Sequence, residues 1–116
     1  MFQRAMLLFK VSDLSRSVAF YAETLGLERG PQYGDYWAEV TAPGVHIGLQ
    51  PGGVAHDPTR HVSLGLRVGN LDEVKATLVR RGVTFTADDV VDGARQAYFI
   101  DPDGNSLYLI EGNSRD

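Results

Sequence analysis

Three histidines, His46, His56 and His61, are the side chains best suited to bind a metal or move a proton near neutral pH. Strand alternation places His46 on the same face as Gly48 and Gln50, and His61 on the same face as Ser63. His56 lies in a stretch rich in Gly, Pro and Asp and is expected to be exposed. With an unperturbed pKa of about 6.5, His46 and His61 are candidates for metal ligands or for a general base. Paired carboxylates occur at Asp101 and Asp103, but Asp101-Pro102-Asp103-Gly104-Asn105 reads as a turn, in which Pro presets φ and Gly or Asn supplies a positive φ. The chain has no cysteine, which excludes a thiol nucleophile, a thiolate metal site and a disulfide framework. Gly-x-Ser-x-Gly, a Gly-rich phosphate loop and His-Glu-x-x-His are also absent. What remains is aromatic: Trp37, Tyr33, Tyr36, Tyr98 and Tyr108 offer flat apolar faces with one polar tip each, which suits a flat organic molecule. Met6 adds a flexible, polarizable surface.

These residues are positioned by a pattern that occurs twice. Val11-Ser12-Asp13-Leu14 opens one helix and Val68-Gly69-Asn70-Leu71 opens another, 57 residues later. In the first half, residues 5–11 alternate as a strand and Asp13 is an N-cap. Leu14, Val18, Tyr21 and Leu25 form one helical stripe, which Gly26 stops. Strands follow at Tyr36–Thr41 and Val45–Gln50, with a weakly patterned one at 27–32. In the second half, Val62, Leu64, Leu66 and Val68 alternate in a strand. Asn70 and Glu73 make a capping-box-like start, and Gly82 ends the helix. Val83–Ala87, Gln96–Ile100 and Leu107–Glu111 are the remaining strands, with Asp88-Asp89 expected in a solvated acidic loop. Module one is thus 1–53, a linker covers 54–60, and module two is 61–116.

The chain's 116 residues and 43% hydrophobic content fit one domain with a core. A net charge of −4 and eleven scattered Lys and Arg argue against a nucleic-acid partner. No apolar run approaches the ~20 residues of a membrane span, and Met1-Phe2-Gln3-Arg4 precedes no cleavage-site pattern. The expectation is a soluble cytoplasmic protein with no membrane partner.

Val-Ser-Asp-Leu-x-x-Ser-x-x-Phe-Tyr-x-x-x-Leu-Gly-Leu at 11–27, Gly82-Val83, and Asp-Pro-Asp-Gly-Asn at 101–105 resemble the vicinal oxygen chelate superfamily. That group contains glyoxalases, bleomycin-resistance proteins, fosfomycin-resistance enzymes and extradiol dioxygenases. The resemblance implies an α+β fold: two tandem βαβββ modules forming a curled mixed sheet with a cleft, helices on the outside. It also implies four divalent-metal positions, one on the first and one on the last strand of each module. Counted from the motifs, these are Met6, Gly48, Ser63 and Tyr108. Thioether, hydroxyl and a missing side chain are poor donors for hard cations, so the usual metal and its Lewis-acid chemistry are expected to be absent, and no cofactor is expected.

The expected cleft then comprises Met6, Leu8, Trp37, His46, Gly48, Gln50, His61, Ser63, Tyr98 and Tyr108. Lys10 and Arg67 share the cleft-facing parity and Arg95 borders it as an anion candidate. Snorkelling to solvent, or pairing with acids such as Asp13 or Glu111, explains Lys10 and Arg67 more simply. The first functional expectation is a metal-free binding protein, similar to the bleomycin- or mitomycin-binding members, that sequesters a hydrophobic or aromatic small molecule. A second is a glyoxalase-like lyase or dioxygenase with a displaced divalent metal near His46 and His61, helped by Gln50. A third is metal-independent enolisation or isomerisation with one of those histidines as base. The partners expected are a small organic molecule and a second copy in a C₂ homodimer, for which the resemblance allows module exchange.

Overall fold

Alternating side chains at the start of the chain put Phe9 and Val11 on one face of a strand and Met6, Leu8 and Lys10 on the other, giving β1 (Met6–Val11). The computed structural model describes residues 1–52, 62–91 and 93–112. After β1, the Asp13 side chain accepts from the Arg16 backbone N–H at 3.1 Å and starts α1 (Leu14–Val18). Three strands follow: β2 (Glu28–Tyr33), β3 (Trp37–Ala42) and β4 (Val45–Pro51). They form a sheet in the order β1-β4-β3-β2, with β1 parallel to β4 and the other pairs antiparallel.

The helix departs from the regular one that the Leu14/Val18/Tyr21/Leu25 stripe predicts. Beyond Val18 it widens into a π-helical segment, Ala19–Thr24, in which the Leu25 N–H donates to the Phe20 carbonyl at 2.9 Å, five residues back. The wider turn accommodates adjacent rings: Tyr21 is fully buried, stacks on Phe9 at 6.0 Å and meets Phe20 edge-on at 5.1 Å. Gly26, at φ 76°, ends the segment.

Module two repeats the order with β5 (Ser63–Val68), α2 (Leu71–Arg80), β6 (Phe85–Val91), β7 (Ala94–Ile100) and β8 (Ser106–Glu111). Its sheet runs β5-β8-β7-β6, with β5 parallel to β8. The Asn70 side chain accepts from the Glu73 N–H at 3.0 Å, and the Glu111 carboxylate accepts from the Leu71 N–H at 2.9 Å. Two carboxyl or amide oxygens therefore cap the positive end of α2. Asp88 and Asp89 lie inside β6, not in a loop, and Lys75 reaches across to Asp88 at 2.7 Å. β6 is an edge strand, where charged side chains are tolerated and discourage further pairing. At the β7–β8 turn, buried Asp101 accepts from the N–H groups of Asp103 and Asn105, both at 2.8 Å, and from the Asn105 amide at 2.7 Å.

Each helix covers one face of its own sheet. Val11, Val40, Ile47 and Leu49 are fully buried on the α1 side, as are Ala97, Phe99, Leu107 and Leu109 to within 2% on the other module's equivalent side. Burying each of the larger side chains stabilises the fold by roughly 1.5–3 kcal/mol. The chain divides into two compact units, Met1–Asp57 and Pro58–Asp116, and no described helix is long and apolar enough to cross a membrane. The expected linker, 54–60, lies outside the described residues.

Candidate ligand-binding faces

Since one face of each sheet is taken by its helix, the other face is the one left to carry the candidate site residues. In module one the register pairs Met6 with His46, Leu8 with Gly48 and Lys10 with Gln50, while Glu39 faces Gly48 and Thr41 faces His46. Period-two alternation on β3 then puts Trp37 beside Glu39 and Thr41 on this same face, with Ala38, Val40 and Ala42 buried behind.

The centre of that face is an indole laid on a glycine. A Cβ at Gly48 would stand 2.7 Å from Trp37 Cη2, and 3.0 Å from both Trp37 Cζ2 and Met6 Sδ. Only glycine admits the ring there, and the ring in turn covers a strand position that has no side chain of its own. The indole Nε1 donates to Glu39 Oε2 at 3.0 Å, and Arg4 donates to Glu39 Oε1 at 2.6 Å. The indole hydrogen bond, followed by the bond and charge of Arg4, holds the Glu39 carboxyl below its ordinary value against the opposing effect of burial. Lys10 Nζ donates to Gln50 Oε1 at 2.5 Å, and His46 Nδ1 lies 3.4 Å from Thr41 Oγ1.

Module two has a counterpart built from different residues. Gly65 is in register with Tyr108, and the phenol lies across it, with its oxygen 2.5 Å from where a Cβ would stand. Tyr98, directly opposite Tyr108 on β7, has its ring centroid 5.8 Å away at 40°, and its hydroxyl donates to Gln96 Oε1 at 2.5 Å. Ser63 Oγ donates to Ser106 Oγ at 2.8 Å at the end of the same face.

The expected residues are thus brought together in two sets. Met6, Leu8, Trp37 and Gly48 meet on module one, while Tyr98 and Tyr108 meet on module two with Ser63 at the margin. His46 and Gln50 share the first set's face but stand four residues apart, about 13 Å along the strand, with Gly48 and its indole between them. Gln50 is moreover engaged by Lys10. His61 lies outside the described residues. Tyr33 and Tyr36 are largely exposed, at 53% and 69%. Arg95, expected to border the site, is instead turned to the helix side, where its guanidinium grips the Asp72 carboxylate through bonds of 2.7 and 3.2 Å with Glu111 3.8 Å away. A shallow depression beside it is lined by Leu71, Asp88, Asp89, Val90, Arg95 and Gln96, half of them charged. Sequence reasoning missed Glu39, Arg4, Gln96 and Gly65. The available signal was Trp-x-Glu and Gln-x-Tyr spacing within strands, which sets an aromatic donor and an acceptor side by side on one face.

The family sequence model described as the Glyoxalase/Bleomycin resistance protein/Dioxygenase superfamily matches residues 4–109. The chain belongs to that superfamily. Solved structures agree on the fold. A Sphaerobacter thermophilus member of the glyoxalase/bleomycin resistance protein/dioxygenase superfamily is 28% identical with TM-score 0.71, the match covering 95% of this chain and 98% of that one. Oxidase ChaP-H2 is 26% identical with TM-score 0.75, covering 99% and 97%. Lactoylglutathione lyase from Agrobacterium tumefaciens is 20% identical with TM-score 0.74, covering 95% of each.

As a superfamily member this chain lacks the usual metal ligands. Gly48 has no side chain and its space is filled by Trp37, Met6 turns its sulfur to the same spot, Ser63 is bonded to Ser106, and Tyr108 lies flat on Gly65. Neutral thioether and hydroxyl groups do not suit a hard divalent cation. Among the described residues no group of three or more His, Asp or Glu is placed to hold a metal ion.

Proposed function

We propose that this protein binds a hydrophobic or aromatic small molecule without a metal, sequestering it as the bleomycin-resistance members of the superfamily do. One observation carries the reading: the position assigned to a metal donor on β4 is Gly48, and an indole lies over it. A metal donor at that position would present a lone pair, whereas Gly48 is covered by π surface, with a thioether beside it and Leu8 in register. Stacking against such a surface is worth about 0.5–1.5 kcal/mol per aromatic pair beyond the area buried. We propose further that the protein works without a cofactor, in the cytoplasm and as a homodimer.

Trp37 is the only tryptophan, so its emission reports on this face alone. In the test, the chelator-treated protein is titrated with a panel of polycyclic aromatics while Trp37 fluorescence and melting temperature are followed. Saturable quenching with a raised melting temperature is expected for some members. The competing reading is a lyase or dioxygenase with a displaced metal near His46 and His61, and it draws on the names of two structural neighbours, a lactoylglutathione lyase and an oxidase. Stoichiometric metal retained after desalting, and lost in a His46→Ala, His61→Ala double variant, would overturn the binding-protein proposal in its favour.

A further inference from the structure

The two modules hold their aromatic rings by the same local device. On β3, Trp37 donates its indole N–H to Glu39, two residues along the same strand and on the same face. On β7, Tyr98 donates its hydroxyl to Gln96, again two residues away on the same face. β3 and β7 hold equivalent places, each next to the last strand of its sheet. The acceptors differ in kind. Glu39 is a carboxylate anchored in turn by Arg4 at 2.6 Å, whereas Gln96 is a neutral amide.

Neither ring needs these bonds for burial, because both are only half-buried. What the bonds consume is the single donor of each ring: the indole has no other hydrogen-bonding group, and the Tyr98 oxygen is left only as an acceptor. They also set each ring's tilt about its side-chain torsions. Trp37 then lies over Gly48, and Tyr98 leans on Tyr108, which itself lies over Gly65.

We infer that Glu39 and Gln96 are positioning residues that fix Trp37 and Tyr98 with their donors satisfied, so that ligands are selected by planarity and not by hydrogen bonds donated from indole or phenol. This rests on the proposed aromatic-binding function and narrows its ligand class to flat, fully conjugated ring systems. Glu39 carries most of the effect, since its bond is charge-assisted and Arg4 immobilises the acceptor. A saturated ring system of equal size and charge would fit the apolar surface but lose the stacked geometry.

The test uses the full chain, in wild-type, Glu39→Leu and Glu39→Gln forms, with 2-naphthoate and decahydro-2-naphthoate as probes. Without any ligand, acrylamide quenching and anisotropy of Trp37 report how firmly the ring is held. Glu39→Leu is expected to raise the quenching constant and lower the anisotropy, and Glu39→Gln, which keeps an acceptor, to restore most of both. With ligand, the wild type is expected to prefer 2-naphthoate by about tenfold, and Glu39→Leu to lose that preference. Unchanged ring mobility in a folded Glu39→Leu variant overturns the positioning role. Equal affinity of the wild type for both probes overturns selection by planarity. Failure of both probes to bind, with the mobility effect present, strikes at the binding function and leaves the positioning role of Glu39 standing.

Discussion

Replacing Gly48 by alanine adds one methyl group at the point where Trp37 and Met6 converge, and its consequence can be worked out from the contacts. The new Cβ would stand 2.7 Å from Trp37 Cη2 and 3.0 Å from Met6 Sδ. The methionine can yield a few tenths of an ångström at little cost. The indole cannot slide without giving up its bond to Glu39, which at 3.0 Å to a carboxylate contributes about 1.5 kcal/mol. Against this, alanine loses less chain entropy on folding, a gain of about 0.5 kcal/mol. Gly48→Ala is therefore expected to destabilise the protein by about 1 kcal/mol, or about 3–6 °C in melting temperature. The decisive form is a double-mutant cycle measured by urea unfolding. In a Trp37→Ala background the methyl group meets no ring, so the same Gly48→Ala change should become neutral or stabilising by about 0.5 kcal/mol. A coupling below about 0.3 kcal/mol would refute the claim that the ring is seated on Gly48.

Three further outcomes are expected. Gly65→Ala, which pushes a methyl group into the Tyr108 ring, should destabilise by about 1–3 kcal/mol in urea unfolding and disturb the near-ultraviolet circular dichroism of the Tyr98–Tyr108 pair. Asp101→Ala strips three hydrogen-bond acceptor contacts from a buried turn and should cost about 2–4 kcal/mol, whereas the same change at half-buried Asp103 should cost far less. Because Glu39 is held below its ordinary value of 4.5, its contribution to stability is fully present above that pH and is lost as pH falls through the lower, folded-state value. Trp37 emission should accordingly titrate with a midpoint below 4.5, and Glu39→Gln should abolish the step. A midpoint at or above the ordinary value contradicts the clamp.

The repeat of cap, helix and glycine stop was legible because each signal is local. Asp13, Asn70, Gly26 and Gly82 perform in the structure the roles their chemistry demands. The π-helical segment was not legible, since Leu14, Val18, Tyr21 and Leu25 make nearly the same stripe whether a carbonyl is met four or five residues on. Asp88 and Asp89 look like loop residues by polarity, yet pairing with β7 tolerates them because β6 is the outermost strand of its own sheet among the described residues. The shared parity of Met6, Leu8, His46, Gly48 and Gln50 followed from period-two alternation. The clamp did not. Glu39 and Arg4 are 35 residues apart in sequence, and which acceptor an indole finds depends on ring tilt and strand register together. Counting along β3 sets Glu39 beside Trp37, but it supplies neither the ring tilt nor Arg4.

The most direct test of the account is a titration of chelator-treated, desalted protein with 2-naphthoate, followed through the emission of its single tryptophan. Saturable quenching at one equivalent per chain, unchanged by added Mn²⁺, Fe²⁺, Ni²⁺ or Zn²⁺, is the result the account requires. Quenching that appears only once one of those metals has been retained would contradict it and return the chain to the metal-dependent branch of its superfamily.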